Sequence, residues 1–211
     1  MNVEIKSQFF PNKGWLELDL PEEVLNYLNK LIKNRKENYN KSLAGNIDES
    51  CILKDKDNWF FKNVLLKCLN EYINTFTLKG TVPNSLTKNC EFVLHDMWVN
   101  FQKKYEFNPI HNHGGVFSFV IWMYIPSSYK KECKLKFVKH ANYKPVATFQ
   151  FVTVNILGQT ITHEYNLEPE DEGTMLFFPS QLNHQVYPFY TSNKKRITIS
   201  GNIKLDPKKI I

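Results

Sequence analysis

Residues 111 to 115 read HNHGG, two histidines one position apart, ahead of an apolar run, VFSFVIWMYI (116–125). On an extended backbone, side chains at i and i+2 leave the same face, about 6–7 Å apart. His111 and His113 can therefore converge on one ion, and neutral imidazole suits Fe(II), Zn and Cu. The same residues also fit a polar turn before a strand, so the pair decides nothing by itself. Downstream, GTMLFFPSQLNH (173–184) reads as an apolar strand, a Pro-Ser turn and a third imidazole, His184. A histidine in a polar turn against Tyr187 or Phe189 is the plainer reading of that segment. Beside HNH, a late strand returning His184 to the same mouth gains weight.

KKRITISGN (194–202) alternates strictly, with Arg196, Thr198 and Ser200 on one face and Ile197 and Ile199 on the other. If the polar row faces inward, a buried guanidinium needs an anionic partner, because an unpaired buried charge is costly. A carboxylate ligand matches the guanidinium fork. If the row faces outward, this is an edge strand with Arg196 in solvent. His95, His140 and His163 lack spaced partners and read as surface or satisfied core residues. The acids Glu168, Glu170, Asp171 and Glu172 read as a solvated turn before Gly173.

These groups need elements to position them. LPEEVLNYLNKLIKNRKENY (20–39) carries Val24, Leu25, Leu28, Leu31 and Ile32 at helical spacing, with Pro21 and two acids at its start. DNWFFKNVLLKCLNEYINTF (57–76) predicts a second amphipathic helix, with Asp57 as its N-cap. From residue 91 the texture changes to short, aromatic and β-branched runs: 91–107, 117–125, 134–138, 147–155, 160–167, 173–179 and 195–205. Two helices followed by seven or eight strands predict an α+β fold, a double-stranded β-helix (jelly-roll) barrel with the N-terminal helices packed on one sheet. No repeat or long linker interrupts the chain, so residues 1–211 read as one domain, helical over about 20–80 and jelly-roll over about 91–205.

Composition narrows the classes. A hydrophobic share of 42% supplies a core without staples. Cys51, Cys68, Cys90 and Cys133 are dispersed, which excludes a zinc ribbon or CxxC redox site. With no apolar leader at the start, they indicate a reducing, cytoplasmic setting. No window approaches the roughly 18 apolar residues of a membrane span. The net charge of +6 is scattered, densest at KNRK (33–36), KDKD (54–57) and KKR (194–196), so it reads as a solvated surface without a specific nucleic-acid site.

Taken in order, HxH, FPSxxxH and RxT resemble the 2-oxoglutarate/Fe(II)-dependent oxygenase superfamily over roughly residues 91–205. The resemblance is closest to a small group found in marine bacteria and their phages. It implies that His111 and His184 bind Fe(II), that Arg196 holds the distal carboxylate of 2-oxoglutarate, and that the Thr198 hydroxyl assists. Asn100, on the strand before HNH, is a further candidate co-substrate contact. The implied partners are O₂, 2-oxoglutarate and a primary substrate that the sequence does not name, a peptide, nucleotide or small molecule. Trp98, Trp122, Tyr124 and Phe178 are candidate walls of a dry pocket, although aromatic residues in strands also serve as core.

One departure stands out. The superfamily usually places Asp or Glu two positions after the first histidine; here that position is His113. Either His113 is the third ligand, which is the favoured reading, or water or co-substrate fills the place, or an acid such as Asp96 swings in. Two rivals stay open: a cupin-type three-histidine enzyme that does not use 2-oxoglutarate, and a non-catalytic jelly-roll binding protein.

Overall fold

The computed structural model describes residues 14–35, 37–76 and 90–210. The opening segment and the end of the expected helical region, 77–80, lie outside them. Among the described residues there are ten strands: β1 (Leu16–Asp19), β2 (Ser50–Ile52), β3 (Cys90–Gln102), β4 (Asn108–His111), β5 (Phe117–Tyr124), β6 (Thr148–Val154), β7 (Thr160–Asn166), β8 (Thr174–Pro179), β9 (His184–Val186) and β10 (Arg196–Ile210). They form a six-stranded sheet, ordered β1-β8-β5-β10-β3-β2, and a four-stranded sheet, ordered β4-β9-β6-β7. Every pairing is antiparallel. This is the expected jelly roll in its open form: the sheets face each other, and no closed barrel is found among the described residues.

The larger sheet is covered on both faces, which explains its continuous apolar strands. On one face lie Phe117, Phe119 and Ile121 of β5, Met175 and Phe177 of β8, Met97 and Val99 of β3, and Ile199 and Ile203 of β10. They pack against Val24, Leu28 and Ile32 of α1 (Glu22–Lys33) and against Leu69 and Tyr72 of α2 (Leu66–Thr75). Tyr72 meets Phe117 edge-on at 5.0 Å and donates its hydroxyl to the Gly14 carbonyl at 2.8 Å. On the other face, Val120, Trp122, Leu176 and Phe178 meet Phe149 and Phe151 of the smaller sheet. The period of two thus splits each central strand between two cores. Among the described residues no helix is long and apolar enough to cross a membrane.

Several local expectations are corrected. The first helix stops at Lys33, and Asn38 bridges to Cys51 instead of continuing it. The second helical segment is entered through a 3₁₀ turn (Lys56–Asn58) and a π-turn (Phe61–Leu65). Asp57 does not cap it, because its backbone sits at φ 56° inside the entry turn. Asp55 takes that role: its carboxylate accepts the Phe60 and Phe61 amides, both at 2.9 Å, and the Tyr27 hydroxyl at 2.7 Å. KLKFV (134–138) is not a strand. It follows the one-turn helix α3 (Tyr129–Glu132) in successive turns, and Val138 alone is buried in it. Lys134, Lys136 and Phe137 are exposed, and the backbone closes its bonds locally, from the Leu135 amide to the Glu132 carbonyl and from the Val138 amide to the Leu135 carbonyl, so no ladder is needed.

Gly201 of β10 sits where no side chain fits. A Cβ there would stand 2.7 Å from both the Asp96 carbonyl and the Phe119 ring. Gly201→Ala is expected to cost roughly 1–3 kcal/mol through overpacking. Urea unfolding of the two proteins measures it, and an unchanged midpoint would show that β3 and β5 yield freely.

Candidate metal centre

The HNHGG turn and the late FPS turn are tied together by backbone. The His113 amide donates to the Ser180 carbonyl at 2.8 Å, and the Ser180 amide to Val116 at 3.0 Å. Gly115, at φ 113°, lets the chain pass against Ile203, whose carbonyl a Cβ would meet at 2.7 Å. His111 at the end of β4 is register partner to His184 at the start of β9. As a result His111, His113 and His184 offer ligand atoms that all lie within 4.8 Å of one another.

The outer nitrogens fix the tautomers. His111 Nδ1 donates to the Pro109 carbonyl at 2.7 Å, and His184 Nδ1 to the Leu182 carbonyl at 2.9 Å. His113 Nδ1 donates to Asn202 Oδ1 at 2.8 Å. All three Nε2 lone pairs therefore face inward, and those of His113 and His184 stand only 3.1 Å apart. Two bare lone pairs at that separation repel, and a shared cation relieves them. A proton does not serve at neutral pH: burial pushes His184 down to about 3 and His113 down to about 4, and lowers His111 too. Three neutral imidazoles, each braced through Nδ1, are the donor set that a divalent metal takes.

A relay that sequence reasoning missed stands behind His113. Asn202 Oδ1 also accepts the Ser118 hydroxyl at 2.7 Å, so the Ser180 hydroxyl, 3.0 Å from Ser118, is the donor in that pair. The signal was present in part: Asn202 continues the inward row of Arg196, Thr198 and Ser200, and Ser180 lies within the FPS motif. Nothing in the sequence marked Ser118 as their link.

The histidines open into a cavity of about 240 Å³. Arg196, Thr198 and Asn100 all line it, so the polar row of β10 faces inward and not to solvent. Arg196 is fully buried above the Phe189 ring, 5.1 Å from guanidinium carbon to ring centre. None of its three guanidinium nitrogens has a hydrogen-bond partner among the described residues. Burial lowers its pKa to about 10, with the charge of Glu132 opposing the shift, so Arg196 remains a cation at neutral pH. Glu132, itself buried, accepts the Tyr190 and Thr191 amides and the Thr191 hydroxyl, pinning the loop that leads to β10. Thr198 pairs with Asn100 across the strands, and Asn100 Oδ1 accepts the Ser50 hydroxyl at 2.7 Å. An unpartnered buried cation on a cavity wall calls for an anion from outside the protein.

Of the expected aromatic walls, Trp98, Trp122 and Phe178 line the cavity and Tyr124 does not. Trp98 stacks on His113 at 5.6 Å. The outer wall comes from a segment not expected to take part, residues 39–47, held by the Asn46–Phe107 bridge and by Asn40 Nδ2 on the Ile47 carbonyl. Asp96 also lines the cavity but stands outside the histidine cluster and accepts the Tyr39 hydroxyl at 3.1 Å.

Comparison with known proteins agrees with this arrangement. Residues 96–202, half of the chain, match the family described as "Putative 2OG-Fe(II) oxygenase". The chain belongs to this family of oxygenases, whose cofactor is Fe(II) and whose co-substrate is 2-oxoglutarate. The fold is similar to a 2OG-Fe(II) oxygenase-family oxidoreductase from Burkholderia pseudomallei (TM-score 0.54, 11% identity, covering 89% of this chain and 84% of that one). It is also similar to a Pseudomonas putida prolyl-4-hydroxylase (TM-score 0.51, 14% identity, 90% and 91%). A third similar structure is a Trichoplax adhaerens prolyl hydroxylase in complex with a hypoxia inducible factor peptide fragment (TM-score 0.50, 10% identity, 93% and 84%). No curated protein matches the chain.

Two outcomes follow from the imidazole geometry. Asn202→Leu removes the acceptor that holds His113, and Fe(II) affinity is expected to fall roughly 10–100-fold, read by competition with a chelating dye. The second concerns pH. An unfolded imidazole takes up its proton near 6.5, whereas His113 and His184 in the fold resist it until about 4 and about 3. The unfolded state therefore binds more protons between these values, and folding stability is lost as pH falls from 6.5 toward 4. The loss is at most about 1.4 kcal/mol per pH unit for each histidine. Urea titrations of metal-free protein at a series of pH values would show it. Stability that stays flat down to pH 4 would contradict the buried, neutral cluster.

Proposed function

We propose that this chain is a 2-oxoglutarate- and Fe(II)-dependent dioxygenase that hydroxylates a primary substrate, with 2-oxoglutarate converted to succinate and CO₂. In this reading residues 1–211 form one domain, and the enzyme works in the cytoplasm, in keeping with its four free cysteines. Bound Fe(II), with O₂ and 2-oxoglutarate, supplies a C–H oxidation that no side chain performs. The protein's own part is binding, orientation and exclusion of water.

His111, His113 and His184 would hold the iron. Their Nδ1 partners keep each ring in the tautomer that presents Nε2, and His113 takes the place that a carboxylate usually fills. Arg196 would grip the distal carboxylate of 2-oxoglutarate in a fork of two N–H donors. Thr198 and Asn100, side by side on the same wall, would add polar contacts along the co-substrate. Trp122, Phe149 and Phe178 would keep bulk water away. The observation that carries the reading is Arg196: a fully buried cation with three unpartnered nitrogens, in the same cavity as three inward-facing imidazoles. A three-histidine enzyme that does not use 2-oxoglutarate would have no need of it. Likeness of fold at 10–14% identity carries architecture and leaves the substrate open.

The test is anaerobic. Fe(II) and then 2-oxoglutarate are added to the protein, and the weak visible charge-transfer band of chelated 2-oxoglutarate is followed. The wild type is expected to develop the band, and His184→Ala to lose it. Arg196→Ala should need roughly a hundredfold more 2-oxoglutarate, the scale of truncating one partner of a buried charge pair. Iron binding without a band would favour the other class of three-histidine enzyme.

A further inference from the structure

In a chain with 27 lysines and arginines and a net charge of +6, the described residues that line the cavity include one strong base, Arg196, and one acid, Asp96. Among the described residues no lysine reaches it. The two charges stand at opposite ends of one polar row. Arg196 is paired with Gln102, and Asn202 with Asp96, six positions further along β10. At strand rise that is about 20 Å. Thr198 and Ser200 lie between them, and His113 is joined to the Asp96 end through Asn202 and Trp98. If the dianionic co-substrate reaches from Arg196 to the metal, the Asp96 end is left for the primary substrate.

Asp96 has one oxygen engaged and one left unsatisfied. The Tyr39 hydroxyl holds Oδ2 at 3.1 Å, whereas Oδ1 is buried and has no partner among the described residues. Leaving such a buried acceptor unsatisfied is costly, and a donor brought to it removes that cost. The β3–β10 register slips directly beyond it, since Asn202 pairs with Asp96 but Ile203 pairs with Leu94. A bulge at this point re-aims the side chain beside it. The charges agree with this. Fe(II) and the 2-oxoglutarate dianion cancel, Arg196 is opposed by the buried Glu132, and three neutral imidazoles add nothing. The single negative charge of Asp96 remains uncompensated. An anionic substrate would meet that charge with no lysine among the described wall residues to offset it.

We infer that the primary substrate carries an organic cation with N–H donors, a primary ammonium or a guanidinium, and that the Asp96 carboxylate holds it beside the metal centre. This rests on the oxygenase reading above. Asp96 is then a residue that sets specificity, since a charge-assisted hydrogen bond to Oδ1 fixes which C–H bond faces the iron.

The experiment uses the full chain, loaded anaerobically with Fe(II) and 2-oxoglutarate, with the charge-transfer band as reporter. Four probes of similar size are compared at matched concentrations: n-butylammonium, n-butylguanidinium, n-butanol and butyrate. The two cations are expected to perturb the band saturably, and the alcohol and the carboxylate to leave it unchanged. Asp96→Asn keeps the size and the bond from Tyr39, and should weaken the cation response at least about tenfold, the scale of losing the charge from one hydrogen bond. A response to n-butanol equal to that of the cations overturns the proposal, and so does an undiminished cation response in Asp96→Asn. If that variant lacks the band before any probe is added, the wild-type contrast between cation and alcohol decides. A wild type without a band removes the oxygenase reading and this inference together; a band with no cation response removes this inference alone.

Discussion

The site depends on the period of two in β10. Ile199 and Ile203 lie in the helix-backed core, so Ser200 and Asn202, one step out of phase with them, must face the other way, into the cavity. That alternation carries Arg196, Thr198, Ser200 and Asn202 inward as one row. A slip of one residue would bury the isoleucines against the histidines and drive a guanidinium into the helices. The register is held from both sides, because β3 and β5 each pair with β10 over most of the row. One hydrophobic pattern thus sets the charge that faces the cavity and the amide that braces His113.

Electrostatics follow from that placement. A cation with no exposed surface, set on an aromatic ring and given no donor-acceptor partner, is a costly group that the surrounding core has to support. The crowded Nε2 atoms of His113 and His184 are a second such cost. On the proposed reading both would be relieved by the groups that the family uses, an anion for the guanidinium and a divalent ion for the imidazoles. The protein keeps the rings neutral by burial and orients them by acceptors on Pro109, Leu182 and Asn202. It thus shapes the site before any ligand arrives.

Much of this was legible in the chain. HxH, FPSxxxH and the alternation around Arg196 are local patterns, and local patterns survive folding. His113 at a position where relatives of the fold usually carry an acid was visible as a departure, and the geometry sets it beside His111 and His184. The two helices were legible from spacing, but their ends were not, because capping by Asp55 and the turn through Asp57 depend on backbone angles that residue types do not encode. KLKFV has a strand's composition and forms turns, its amides bonded within the segment and to the helix before it. The Ser180–Ser118–Asn202 relay was legible only at its two ends, and the 39–47 wall was not legible at all. Each joins residues far apart in sequence, and only the packing of β5, β8 and β10 brings the relay together.

The two halves of the site differ in compliance. The Arg196 half lies on a strand with neighbours on both sides, so its amides open only when much of the six-stranded sheet opens. The His111 and His184 half lies on short strands, four and three residues long, joined at two positions with a shift between them, and β4 is the edge of its sheet. Hydrogen exchange should therefore be slow along 198–202 and faster along 108–111. On the proposed reading, the anchor for the carboxylate is then stiff, and the histidine side is free to adjust by fractions of an ångström as the coordination around an ion changes.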